Sequence, residues 1–376
     1  MNRLSKLLGK FRLVPLLWTA RRERPVPVQL WEMLTLRFGP GRLGASEYYK
    51  YGLYKGRFTS TERSRFAGWR MEAELDRQLN AGSWLGVTTD KLIQYSVFRG
   101  LGIPTPEVRA VYHPSGRFFG PARQLHTPAE LAAFLREGMP YPFFSKPAHG
   151  SFGRGSFGAA RHLAGPDEIE LLSGERMPMM EFVAQCRPRD GVYPWQSGYL
   201  FQDYVTPHPA TAAICGPRLS SLRLIVMVPD AGPRLFRAIW KIPTGANMVD
   251  NFDRGMLGNL VARVDPETGR ILRVIGGSGV GKREVRTHPD TGRSFEGFAI
   301  PEWDRVRALC LQAATIFPAL RLQFWDIALG AEGPVVLEVN IGGNLDGPQQ
   351  VADSGVLDAD LEAFRGQLAQ RYPDYA

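Results

Sequence analysis

Three oxygen-bearing side chains, Asp326, Glu338 and Asn340, sit on two apolar runs that flank Glu332 between Phe324 and Asn340. Gly330, Gly333 and Pro334 separate these strand-like runs, which predicts a hairpin centred near Glu332. In that register Asp326 lies directly opposite Glu338, and strand alternation puts Asn340 on the same face. Hard oxygens converging on one sheet face suit Mg2+, which is usually held by one or two carboxylates together with nucleotide phosphates. The competing reading is a hairpin with polar residues facing solvent. The apolar neighbours Leu337 and Val339, and the Gly342-Gly343-Asn344 that follows, favour a site.

A metal that works on phosphates needs cations beside it. Of 46 Lys and Arg, eight are lysines, at positions 6, 10, 50, 55, 91, 146, 241 and 282. A lysine is a compact point charge suited to a phosphate oxygen, which singles out Lys91, Lys146 and Lys241. Lys146 ends an apolar strand and leads into His149-Gly150-Ser151-Phe152-Gly153-Arg154-Gly155. Glycines there let backbone N–H groups approach a polyphosphate closely, although many glycine-rich turns bind nothing. Gln202-Asp203-Tyr204-Val205 closes another apolar strand before Pro207 and Pro209. It reads either as a hinge whose backbone meets the edge of a base or as a plain buried strand. Arg223, between Leu222 and Leu224, needs an anionic partner, either a substrate or a structural carboxylate. Asp250-Asn251 is either a turn or a further piece of the site.

Gly276-Gly277-Ser278-Gly279-Val280-Gly281-Lys282-Arg283 nearly spells a P-loop. Arg283 stands where the metal-binding hydroxyl belongs, and the residues that follow do not open a helix, so a mobile surface loop is the expectation.

These pieces rest on an alternation of strand-like and helix-like segments. Asp90 to Leu101 reads as a helix stopped by Gly102 and Pro104, and Pro301 to Phe317 as another. Strand-like runs are Glu107–Tyr112, Tyr141–Lys146, Tyr199–Val205, Ser221–Val228, Leu235–Ile242 and Leu260–Val264. Residues 1–84 look mainly helical and aromatic-rich. Strands that mostly follow strands point to an α+β protein rather than a doubly wound parallel sheet.

Taken in order, Asp90-Lys91, Lys146 with its glycine loop, Gln202 to Val205, Ser221-Leu222-Arg223, Asp250-Asn251 and finally Asp326, Glu338 and Asn340 resemble the ATP-grasp superfamily. Within it the chain looks most like the sugar-transfer-associated ATP-grasp proteins, over roughly residues 85 to 352. The resemblance implies an ATP-grasp fold, with two α+β subdomains (85–205 and 206–376) clamping ATP behind a helical segment 1–84. It also implies that Lys91 and Lys146 contact phosphates and that His149, Gly150, Ser151 and Gly153 fold over the triphosphate. Gln202, Asp203, Tyr204 and Val205 would hold adenine, Asp203 and Val205 by their backbone, with His208 at the ribose. Asp326, Glu338 and Asn340 would ligate Mg2+, and Arg223, Lys241 and Asn251 would serve the reacting end. Relatives usually carry Asn-Thr where this chain has Ser220-Ser221, and arginine where it has Lys241, both near the expected acceptor. The implied reaction is ATP-dependent joining of a carboxylate to an amine, or less often a thiol, through an acyl phosphate. A phosphotransferase on the same fold, or a nucleotide-binding partner of a polysaccharide system, are the alternatives. Small, sugar-linked substrates are a lead that the family name supplies.

Bulk properties narrow the setting. The 376 residues are 44% hydrophobic and carry a formal net charge of +9. The arginines are dispersed and no nucleic-acid recognition motif is present, which argues against nucleic acid as partner. Cys186, Cys215 and Cys310 lie far apart, compatible with a reducing cytoplasm. No run is long and apolar enough to span a bilayer. The basic N-terminus (Arg3, Lys6, Lys10, Arg12, Arg21, Arg22, Arg24) alternates with leucines. It is either an ordinary packed helix or a peripheral contact for an anionic membrane.

Overall fold

Two seven-stranded sheets carry the chain. The computed structural model describes residues 13–373, apart from 117–119, 151, 152, 154, 187–197, 246, 248, 249, 253, 254 and 256. The expectation for Ser151, and that for the basic residues 3–12, therefore lie outside the described residues.

The first sheet contains β1 (Val108–Tyr112), β2 (Arg123–Leu125), β3 (Phe143–Pro147), β4 (Phe157–Leu163), β5 (Glu168–Leu171), β6 (Arg176–Pro178) and β7 (Tyr199–Asp203), in the spatial order β2-β1-β7-β3-β4-β5-β6. One face, with Phe143, Ala159, Ile169 and Phe201, packs on helices Pro128–Glu137 and Met179–Gln185 through Leu131, Leu135, Phe182 and Val183. Alternation sends Phe144, Lys146 and Gln202 to the opposite side.

The second sheet is antiparallel throughout and comprises β8 (Ser221–Met227), β9 (Arg234–Ile242), β10 (Leu260–Val264), β11 (Ile271–Gly276), β12 (Arg283–Glu284), β13 (Leu322–Gly330) and β14 (Gly333–Asn340), in the order β12-β11-β10-β9-β8-β13-β14. The fold is thus α+β, with a helical N-terminal region. Trp325, Ile327 and Leu329 pack with Val306, Leu309, Cys310 and Ala313 of helix Trp303–Ala314. On the other face Ile225, Met227, Phe236, Leu322 and Phe324 meet Met71, Leu75 and Leu79 of helix Trp69–Leu79. That helix covers only one end of this face. Further along the same strands the alternate positions are Ser221, Arg223, Lys241, Asp326, Glu338 and Asn340, and these are left for a site.

The N-terminal helices are tied to the second sheet by side chains that imitate strand partners. The Asn80 amide donates to the Leu322 carbonyl and its oxygen accepts from Leu322 N–H, both at 3.0 Å. Glu72 Oε1 accepts from the N–H groups of Asn344 (2.6 Å) and Leu345 (3.2 Å), holding the loop that follows Asn340. Burial, helped by the nearby Asp346 charge, pushes the Glu72 carboxyl up to about 7.

The near-P-loop leads into the short strand β12 and not into a helix, and its lysine is held by the protein. Lys282 is buried, donating to Asp353 Oδ1 at 2.5 Å and to the Gln350 carbonyl at 3.1 Å. A Cβ on Gly255 would meet the Gly277 carbonyl oxygen at 2.6 Å, so the glycine run is pressed against the body of the protein. Its spacing reflects close packing.

Candidate active site

The predicted Asp326–Glu338 pairing is present, by a route the sequence does not reveal. The hairpin turn joins Gly330 to Gly333, centred half a residue before Glu332. An extra residue, Leu337, then shifts the register between Asp326 and Ile327, so that Asp326 again opposes Glu338 and Asn340 lies opposite Phe324. Bulges of this kind re-aim side chains, and here Leu337 and Glu338 both reach the same cavity.

That cavity, about 700 Å³, lies between the two sheets. From the first sheet and its connections come Phe144, Lys146, His149, Gly150, Gly153, Leu172, Gln202, Tyr204 and Val205. From the second come Ser221, Arg223, Lys241, Asp326, Leu337, Glu338 and Asn340, with Arg218, Asp250 and Asn251 from adjoining loops. Lys91 enters from the start of helix Lys91–Gly100. Asp90 caps that helix, accepting from Leu92 and Ile93 N–H at 2.9 and 3.2 Å, and so fixes where Lys91 emerges. Lys91 Nζ donates to the Gly150 carbonyl at 2.7 Å and stands 3.6 Å from Glu338 Oε2, joining the glycine loop to the β13–β14 hairpin.

The charges interlock. Arg223 Nε and one terminal nitrogen donate to Asp326 Oδ1 and Oδ2 at 2.9 and 2.8 Å, and its other nitrogen reaches the Gly343 carbonyl at 3.0 Å. Lys241 Nζ lies 3.2 Å from Asp326 Oδ2 and 3.7 Å from Asp250 Oδ1. Burial alone would raise the Asp326 carboxyl, but the Arg223 and Lys241 charges hold it well below its ordinary value. Glu338 is likewise lowered by Lys91 against the pull of burial. For Asp250 burial wins over Lys241 and its carboxyl is raised. Lys146 is enclosed by protein and makes no ion pair within 4.0 Å among the described residues. Burial, together with the Lys91 charge, brings it down to about 8 although Glu338 opposes this.

The donor set fits a magnesium ion. Glu338 has loose protein partners, Lys91 at 3.6 Å and the Asn340 amide at 3.2 Å, so its oxygens are open to a cation. Asn340 turns its nitrogen to Glu338 and keeps its oxygen free of that bond. Asp326 spends three of about four lone-pair positions on Arg223 and Lys241, which leaves room for one more ligand bond. Among the described lining residues, Lys91, Lys146, Arg218, Arg223 and Lys241 outnumber Asp250, Asp326 and Glu338, a balance suited to a polyanion bound with a divalent cation.

Two of the expected residues do not line the cavity. The Asp203 carboxylate turns away to a bidentate pair with Arg109 at 2.8 and 2.7 Å, and its N–H donates to the Glu107 carbonyl, which leaves its backbone carbonyl as the group for a base edge. His208 caps a helix, accepting from Ala210 N–H at 3.1 Å, with its other nitrogen 3.9 Å from Glu302. Sequence reading also passed over Gln94. Its amide donates to the Val339 carbonyl at 3.1 Å and accepts from Val339 N–H at 2.9 Å, closing the free edge of β14 between Glu338 and Asn340. The signal was a glutamine on the apolar side of an amphipathic helix.

A profile of the sugar-transfer associated ATP-grasp family matches residues 70–365, most of the chain. The protein belongs to that family. No curated protein matches it. Solved structures similar to this ATP-grasp chain include D-alanine–D-alanine ligase from Bacillus anthracis (14% identity, 81% of this chain and 76% of that one, TM-score 0.41). Phosphoribosylamine–glycine ligase from Thermotoga maritima is another (14%, 79% and 60%, TM-score 0.44). A third is N5-carboxyaminoimidazole synthase from Aspergillus clavatus, solved with ADP and an aminoimidazole ribonucleotide (12%, 73% and 50%, TM-score 0.39). The chain spans about half the length of that last protein.

Proposed function

We propose that this ATP-grasp protein is an ATP-dependent ligase that joins a carboxylate to an amine, or less often a thiol, through an acyl phosphate, with Mg2+. The observation that carries the proposal is the cavity in which Asp326 and Glu338 oppose each other beside Arg223, Lys241, Lys91 and Lys146. Lys146 and Lys91 hold the phosphates of ATP. Phe144, Leu172, Val205 and Leu337 give the adenine an apolar slot, with Gln202 as its polar contact. Glu338, Asn340 and the remaining position of Asp326 would hold magnesium, which would supply charge neutralisation along the triphosphate. Arg223 and Lys241 orient the acceptor carboxylate.

An oxygen of that carboxylate attacks the γ-phosphorus and ADP leaves, with Arg223, Lys241 and Lys146 spreading the developing charge. The amine then attacks the acyl carbon, inorganic phosphate leaves, and the amine proton passes to a base or to solvent. Gly150 and Gly153, in the loop above the phosphates, keep water from the activated acyl group.

The test is ADP release from MgATP across a panel of carboxylates, each with and without amines, in the native protein and in Glu338→Gln. Release that needs both substrates and is lost in the variant supports a ligase. Release with one acceptor, leaving a stable phosphorylated product, makes it a phosphotransferase. Failure to bind MgATP overturns the reading.

A further inference from the structure

Helix Val26–Phe38 buries polar side chains and exposes large apolar ones. Its inward side carries Gln29 and Glu32 beside Leu36, all three buried. Gln29 donates to the Arg24 carbonyl at 2.7 Å and accepts from the Tyr49 hydroxyl at 2.7 Å. Glu32 accepts from the Tyr48 hydroxyl at 2.6 Å, pairs with Arg63 at 3.3 Å and bonds Arg24. This buried polar network sets the rotation of the helix. The rotation in turn faces Leu30 (52% exposed), Trp31 (63%), Leu34 (59%) and Phe38 (80%) outward. The neighbouring helix Leu13–Ala20 adds Val14 (47%) and Trp18 (57%). A helix on a water-facing body normally turns its polar stripe out and its apolar stripe in. This departure marks a surface built to meet something apolar.

Charge identifies the partner. The Arg21 guanidinium lies 4.4 Å from the Trp18 ring centre, and Arg37 lies 5.8 Å from that of Phe38. Arg22 is exposed beside Arg21, with Glu23 the exposed carboxylate of this region, and the carboxylate of the helix itself, Glu32, is withdrawn inside. The chain carries a formal +9. An anionic bilayer surface offers both halves of this pattern, an apolar phase for the rings and phosphates for the guanidinium groups. We propose that this face docks peripherally on an anionic phospholipid membrane. Trp18, Trp31 and Phe38 sit at headgroup depth, with Arg21, Arg22 and Arg37 against the phosphates. No helix among the described residues is long and apolar enough to cross a membrane, so the attachment lies along the surface.

The test is co-sedimentation of the full chain with vesicles of phosphatidylcholine alone and of phosphatidylcholine mixed with phosphatidylglycerol. The native protein should bind the mixed vesicles, less so at high salt. A Trp31→Ser, Leu34→Ser, Phe38→Ser variant should lose at least about tenfold in partitioning, with an unchanged melting temperature, since these side chains are exposed. Binding by the variant equal to native would assign the membrane contact to basic residues elsewhere and overturn the proposal. No binding of native protein to mixed vesicles would also overturn it. So would a dimer that the variant abolishes, because the face would then belong to a second copy of the chain.

Discussion

Arg223 on β8 and Asp326 on β13 face each other across neighbouring strands and share two hydrogen bonds, of 2.9 and 2.8 Å. The pair makes the centre of the cavity both a structural element and a reactive one. Asp326 is 4% exposed and also neutralises Lys241, so Asp326→Ala would strand two enclosed cations. Removing one partner from a buried pair costs about 3–5 kcal/mol. Loss of activity in that variant should therefore come with a large fall in melting temperature. Glu338→Gln separates the roles: it should keep the fold, because Glu338 has only loose partners, and lower turnover about a hundredfold or more. Thermal unfolding measured beside ADP release checks both.

How far the sequence carried the site follows from this hairpin. Asp326, Glu338 and Asn340 were legible because alternation in an apolar strand ties spacing to face, and Arg223 because a guanidinium in such a strand demands an anion. The sequence left open whether that anion is substrate or protein, and it is Asp326 in this structure. The side chains of Asp203 and His208 point away from the cavity for a common reason. Each sits at the end of its element, where local partners (Arg109 for one, the helix N–H of Ala210 for the other) decide the direction of the side chain. Leu337 was invisible because a bulge cannot be read from alternation. Helix Val26–Phe38 departs from the usual rule, and Tyr48, Tyr49 and Arg63, distant in sequence, join Arg24 in holding its polar residues inside.

Gln94 is a positioning residue for β14. Its amide pairs with both backbone groups of Val339 and is 2% exposed. Gln94→Leu should leave a buried N–H and carbonyl unpaired, at about 1–3 kcal/mol each, and free the edge that carries Glu338 and Asn340. A higher Mg2+ requirement for turnover, with an increase in its apparent magnesium constant larger than any change in that for ATP, is the expected signature. Gln94→Glu, which retains one acceptor and loses the donor, should fall between.

Lys146 links pH to both stability and nucleotide binding. Its folded value of about 8 lies below the unfolded one, near 10.5, so the unfolded chain binds the extra proton between them. The cost of keeping the folded lysine charged is full below about 8 and disappears as pH rises towards 10.5. At pH 7 it amounts to about 3 kcal/mol. Lys146→Met should therefore raise the melting temperature at pH 7, by less as pH increases, while weakening MgATP binding. In the native protein the dissociation constant for MgATP should climb above pH 8, by up to about tenfold per pH unit, with proton uptake on binding. Calorimetry in buffers of different ionisation enthalpy measures that uptake, and its absence at pH 9 would remove Lys146 from the phosphate site.

Lys282 gives the opposite prediction, because its glycine-rich setting resembles a nucleotide loop while its ammonium is spent inside the protein. Asp353 receives Lys282, Arg57 at 2.8 Å and Arg273, so the loop Gly276–Lys282 is fastened to the segment after helix Asp346–Ala352. Lys282→Met should lower stability by about 1–3 kcal/mol, since the Gln350 carbonyl loses its donor and Asp353 one of its cations. MgATP affinity should remain within about twofold of native, because distant sites act independently. Titration of MgATP against both proteins, at a temperature where each is folded, decides the matter. A large loss of affinity would mean that the glycine run, and not the loop after Lys146, receives the phosphates.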